Sequence, residues 1–219
     1  MLFRLRVSLP DRPGSLARIT QTLGSAGADV LQMTVLERDT GRAIDEFTVS
    51  WPGDRSADDL TEGLSTLQGV RVEGCWGTGA VPGASPELDV LGQVARDPGR
   101  AVATLVDAAP GLFHADWAVA TRGTKSRAVV HASWQAPTAP KLPLVSPLRP
   151  LALALDDAPT TFAAAAPIGL SWLTLFVVRT DGPAFHRTEL ERLGRLVDVV
   201  QGVLGTRTAP RAAKAPQHG

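Results

Sequence analysis

Cysteine is nearly absent. Cys75 is the only one among 219 residues, so no disulfide forms within the chain, which fits a reducing compartment. An excess of charge is missing too: Lys+Arg and Asp+Glu both number 22, and that balance does not point to nucleic acid or to a charged membrane surface. No apolar run is long enough to cross a bilayer; the richest, Leu170 to Val178, is strand-length. The first ten residues alternate instead of forming a signal peptide's continuous apolar segment, so the expected location is cytoplasmic. The four histidines, His114, His131, His186 and His218, are scattered. No pair has zinc-site spacing and one thiol cannot make a thiolate site, so no metal is expected. A phosphate-cradling loop ending in Lys-Ser/Thr and a dinucleotide fingerprint are both lacking, so no cofactor is expected.

What is there begins with alternation. Phe3, Leu5, Val7 and Leu9 recur every second residue, with Arg4, Arg6 and Ser8 between them, the period of a half-buried strand. Leu16, Ile19, Leu23 and Ala26 then recur at helical spacing up to Gly27. Pro13 and Gly14 make the turn between these segments, and Ser15 or Gly14 can cap the helix. A helix N-terminus leaves N–H groups unpaired and carries partial positive charge, which suits a carboxylate. Asp11, at the strand tip, is placed to take an ammonium group. Together they would suit a free amino acid; the same residues also read as simple punctuation of a strand–helix turn that happens to carry an Asp.

The rest of this segment continues the pattern. Strands are expected over Val30 to Glu37 and Ala43 to Trp51, joined by a hairpin turn at Asp39-Thr40-Gly41. A second helix carries Leu60, Leu64 and Leu67 and starts at Ser56 or Asp58. Val70, Val72 and Trp76 mark a short last strand. The order is β-α-β-β-α-β, a ferredoxin-like sandwich. Asp45 and Glu46 are neighbours on a strand, so they face opposite ways and cannot form an acid/base pair.

This segment resembles the ACT domain, a small regulatory fold that commonly binds amino acids. The resemblance rests on the order of elements and on the run Asp11-Arg12-Pro13-Gly14-Ser15-Leu16-Ala17-Arg18-Ile19, followed by Gly27-Ala28-Asp29-Val30. It implies ligand contacts at Asp11, Arg12, Pro13, Gly14, Ser15 and Leu16, and at Asp29 and Val30. It also implies that two such domains can meet to close the site.

A Gly/Pro/Ser-rich stretch without periodicity separates the two halves. In the second half, an apolar helical stripe starts at Leu88, is interrupted at Asp97-Pro98-Gly99, continues through Val102 and Val106, and is expected to stop at Pro110-Gly111. Strands are expected over Ala115 to Thr121, Ala128 to Trp134, Leu151 to Leu155 and Leu170 to Val178. A short helical turn is expected within Asp156 to Ala166, and a long helix over Phe185 to Leu204. That helix is apolar over about half its circumference, wider than the roughly 100° stripe a surface helix needs. Its surplus favours dimerisation.

The second half resembles a GAF-type sensory domain, on Pro167-Ile168-Gly169-Leu170, on Trp172 to Val178, on Pro183-Ala184-Phe185-His186 and on Thr188-Glu189-Leu190. Its Pro- and Ala-rich middle, Gln135 to Ala166, departs from that family. The expected organisation is therefore α+β: an ACT-like domain over 1–74, a linker over 75–86, a GAF-like antiparallel sheet packed with helices over 87–205, and a disordered tail over 206–219. The expected function is a non-catalytic sensor that binds an amino acid or similar small metabolite, forms a homodimer and acts on a separate effector protein, without nucleic acid or membrane. The alternative is an adaptor or assembly module with no small-molecule ligand.

Overall fold

The computed structural model describes residues 1–53, 56–79, 85–123, 128–145, 147–156, 160–169, 173–180 and 182–205. Thr124 to Arg127, Asp157 to Pro159, Leu170 to Trp172, part of the expected linker and the whole expected tail lie outside them.

The first unit runs β1 (Leu2–Pro10), α1 (Ser15–Ser25), β2 (Asp29–Asp39), β3 (Arg42–Ser50), α2 (Ala57–Ser65) and β4 (Arg71–Gly77). Its antiparallel sheet has the order β2-β3-β1-β4, so the element order expected of a ferredoxin-like sandwich is present. Leu5, Val7, Leu9, Phe47, Val49 and Trp51 face the two helices and pack on Ile19, Leu23, Leu60 and Leu64. Ser56 caps α2 in a reciprocal capping box with Asp59. Thr40 and Gly41 both have positive φ, 49° and 79°, the geometry that a two-residue hairpin requires. β4 continues through Cys75 and Trp76 to Gly77, so the first residues of the linker expected over 75–86 belong to the strand, Trp76 among them as its place in the pattern suggested.

β2 is an edge strand with two bulges, one between Val30 and Gln32 and one between Val35 and Glu37. The second shifts the alternation by one residue. Glu37 comes to lie opposite Ile44 on the helix-free face, and Arg38 opposite Ala43 on the helix side.

The second unit contains α3 (Pro86–Arg96), a 3₁₀ turn at Pro98–Arg100, α4 (Ala101–Phe113), strands β5 (Trp117–Arg122), β6 (Ala128–Ala132), β7 (Leu151–Ala154), β8 (Thr161–Ile168) and β9 (Leu173–Thr180), and α5 (Arg187–Gly205). The sheet is antiparallel throughout, ordered β6-β5-β9-β8-β7. The helices cover one face, through Leu105, Val106, Leu112, Phe113, Leu193, Val197 and Val200. The other face packs Val119, Phe176 and Val178 beneath Leu142 and Val145 of the Pro-rich loop.

The second unit departs from the sequence pattern at two places. Pro110 does not stop α4, which continues to Phe113. A proline in the last turn removes few helical hydrogen bonds, and burial of Leu112 and Phe113 offsets that loss. The helical turn expected within Asp156 to Ala166 is replaced by β8 from Thr161 onward. Ala164 and Ala166 pack toward the helices and Ala163 and Ala165 toward the loop. Buried on both sides, this strand overrides the helix propensity of alanine. The Asp156 carboxylate accepts from the Thr160 and Thr161 N–H groups that lead into β8.

Candidate functional site

The β1–α1 turn places Asp11, Arg12, Pro13 and Gly14 at the surface, Leu16 half-buried and Ser15 buried. Gly14 occupies the cap position of α1 with φ 87°, a left-handed conformation that favours glycine, and no side chain caps the helix. Ser15 is the first helical residue rather than the cap. It is 3% exposed, and its Oγ has no hydrogen-bond partner.

Asp11 is already engaged. Its carboxylate accepts from Arg38 Nε at 3.1 Å and from Nη2 at 2.8 Å, and its backbone N–H donates to the Gly41 carbonyl at 2.8 Å. The expected ammonium receptor thus carries a guanidinium in this conformation.

A second carboxylate stands close by. Asp45 is 4% exposed and its Oδ1 has no partner. It lies on the helix side of β3, opposite Val7 and Val35. Burial raises its pKa, the Asp11 charge adds to that rise, and Arg38 opposes it. The sequence signal was present: Asp45 occupies a core phase of the alternation that also carries Phe47 and Val49. A carboxylate at an apolar position is the informative kind of buried residue.

Asp29 and Val30 are at the far end of the sheet within one chain. Asp29 lies opposite Ser50, which pairs with Leu2, whereas Asp11 follows Pro10, which pairs with Arg42. Their partners on β3, Ser50 for Asp29 and Ala43 for Arg38, are seven positions apart, about 23 Å at strand rise. The structure groups Asp11, Arg38 and Asp45, with Ser15 in the turn that follows Asp11, and leaves Asp29 and Val30 apart from them.

The helix-free face of the first sheet meets the second unit through charge. Arg6, 2% exposed, donates through Nη2 to Glu46 Oε2 and to Glu189 Oε2, each at 2.8 Å, and through Nη1 to the Ala184 carbonyl at 3.2 Å. Glu189 Oε1 accepts from Arg179 Nη2 at 2.9 Å, and Oε2 from the His186 N–H at 2.8 Å. Burial opposes ionisation of Glu189, but Arg179 and Arg6 hold its pKa below the ordinary value. His186 Nε2 lies 2.8 Å from Glu37 Oε2. Consecutive residues of β2 therefore link two places, Arg38 to the β1–α1 turn and Glu37 to the start of α5.

The first unit is a two-layer α+β domain with a polar turn at an uncapped helix end. Residues 3–60 match the family model of the ACT domain, and the N-terminal unit is an ACT domain. Twelve solved chains match this one in structural comparison. One is a formyltetrahydrofolate deformylase from Pseudomonas putida KT2440, 18% identical, aligned over 44% of this chain and 38% of its own, with a TM-score of 0.30. The chain therefore spans well under half the length of that relative. An unknown protein from Galdieria sulphuraria is 12% identical over 93% of each chain, with a TM-score of 0.32. The regulatory subunit of aspartate kinase from Thermus thermophilus, in its ligand-free form, is 14% identical over 90% of this chain and 94% of its own, with a TM-score of 0.27. No curated protein matches the sequence.

Proposed function

We propose that this chain is a non-catalytic regulatory protein whose ACT domain binds an amino acid or similar small metabolite at the β1–α1 turn. The observation that carries the reading is a pair of buried, unpartnered side chains, Ser15 and Asp45, beside the uncapped N-terminus of α1. Such groups are costly unless something pairs them. The ligand carboxylate docks on the first-turn N–H groups and Ser15 Oγ. Its ammonium is shared by Asp11 and Asp45, with Arg38 displaced from Asp11.

Two copies complete the site. β2 is an edge strand whose Leu31, Met33 and Val35 are 42%, 37% and 46% exposed, an apolar stripe beside open backbone groups. Antiparallel pairing of two β2 edges brings Asp29 and Val30 of one protomer beside the β1–α1 turn of the other. The ligand favours whichever dimer arrangement it binds better. The GAF-like second unit, an antiparallel sheet backed by helices, passes that difference to a separate effector protein.

A second reading draws on one observation. Arg38 already neutralises Asp11, which favours an assembly module without ligand. Calorimetric titration of the full chain with each common amino acid, repeated on Asp11→Ala, separates the two. The sensor shows saturable heat for one class of amino acid, lost in the variant; the assembly module shows none while remaining folded.

A further inference from the structure

A cleft of about 1210 Å³ opens between the helix-free face of the ACT sheet and the second unit. One wall is built by Arg4, Thr48 and Trp76, the other by Leu112, His114 and Arg192. Arg4 and Trp76 are direct cross-strand partners on β1 and β4, so their side chains share this face. Arg4 Nη1 donates to Glu46 Oε1 at 2.5 Å, while Arg4 Nε and Trp76 Nε1 are buried donors without acceptors.

The formal charges of the lining largely cancel, as Arg4 pairs with Glu46, Arg179 with Glu189 and Arg192 with Glu87. Asp116 is also spoken for, accepting from Thr180 N–H and Oγ. What is unmatched is an acceptor for two adjacent donors. The field around His114 adds a sign. Burial first, then Arg4, Arg179 and Arg192, push its pKa down to about 3, against Glu189 alone. The imidazole is therefore neutral, with three guanidinium groups within electrostatic reach. Beside this polar end, Val90, Ala108 and Leu112 supply apolar wall, the mix expected of a small-molecule site.

We propose that this cleft is a second ligand site, for a small organic carboxylate with an apolar body. One carboxylate oxygen accepts from Trp76 Nε1–H and Arg4 Nε–H, and the body lies along Leu112 and Val90. The site is separate from the β1–α1 turn, which opens at the end of the sheet beyond Pro10. It joins both units, so its occupant bears on their relative arrangement.

The test uses the full chain labelled with ¹⁵N, the Trp76 indole signal being assigned with Trp76→Phe. Phenylacetate is the probe; phenylacetamide and inorganic phosphate are the comparison arms. The expected result is a saturable shift of the Trp76 indole signal with phenylacetate and little with either comparison. Arg4→Lys retains the charge beside Glu46 but loses the Nε donor, and weakens binding about tenfold, a loss of about 1.4 kcal/mol. Trp76→Phe weakens it similarly by calorimetry, with the other indole signals reporting an intact fold. Asp45→Asn leaves this binding unchanged, which keeps the result apart from the β1–α1 site. An indole signal that stays fixed at saturating phenylacetate overturns the proposal. An equal response to phenylacetamide overturns the carboxylate, and a response to phosphate alone overturns the apolar body.

Discussion

Arg6 of the ACT sheet and Glu189 of α5, 183 residues apart, form a 2.8 Å ion pair that is buried on the arginine side. The pair is a node. Arg6 also holds Glu46, Glu189 also holds Arg179, and the rings of Trp76 and Phe185 lie beneath these guanidinium groups, at 5.6 Å for Arg6 over Trp76 and 4.3 Å for Arg179 over Phe185. Removing one partner of a buried pair leaves an unpaired charge, at a cost of about 3–5 kcal/mol. Glu189→Ala is therefore expected to destabilise the chain by that order in urea melts. A double-mutant cycle with Arg6→Met is expected to show strong non-additivity.

Gly74 lies against Pro183 of the second unit. A Cβ there would meet the Pro183 ring at 3.0 Å. Gly74→Ala is expected to cost about 1–3 kcal/mol as overpacking. Pro183→Ala in the same chain is expected to restore most of that loss, read as Tm by calorimetry.

His114 gives a pH dependence with a definite sign. Its pKa falls from 6.5 in the unfolded chain to about 3 in the fold. Between those values the unfolded state binds the extra proton, so stability falls as pH drops below 6.5, by up to about 1.4 kcal/mol per pH unit. Denaturant melts at pH 7 and pH 5 measure this window above most carboxylate titrations. His114→Asn is expected to flatten the difference.

Asp45 behaves in the opposite sense. Its folded pKa is raised, chiefly by burial, so the folded state holds its proton to higher pH than the unfolded chain. Stability is lost as pH rises through that folded value. Asp45→Asn is expected to raise Tm at pH 7 and to leave Tm nearly unchanged well below the carboxylate range. In the same variant, amino-acid heat at the β1–α1 turn is expected to vanish.

Burial, with the Asp58 charge adding to it, pushes the Cys75 thiol up to about 11. Thiolate is the reactive form. Labelling by a disulfide reagent at pH 8 is expected to be slow in the folded chain and fast in urea, with no loss of structure in Cys75→Ser.

The alternation of β1 and the helical spacing of α1 made the ACT unit legible, because a strand with one covered face must alternate and a covered helix must show a stripe. The second unit was read less completely. Thr161-Phe162-Ala163-Ala164-Ala165-Ala166 carries no alternation, since both faces are buried and both take alanine. Long-range pairings were not legible in any segment. Arg6 reads as the solvent side of a half-buried strand, and the approach of Ala184 and Glu189 of the second unit to that face makes it an interior residue. Of the site, Asp11 and Ser15 were visible in the turn motif. Arg38 and Asp45 were hidden because a bulge and a hairpin bring them there.

The bulge between Val35 and Glu37 has a consequence for how this chain tolerates change. Point substitutions along β2 alter one face at a time. Pairing Leu36 with Ile44 in place of the bulge would restore plain alternation, turning Glu37 away from His186 and Arg38 away from Asp11 in one step. Both links depend on register and not on residue type: they hold while Leu36 stays out of the pairing with β3.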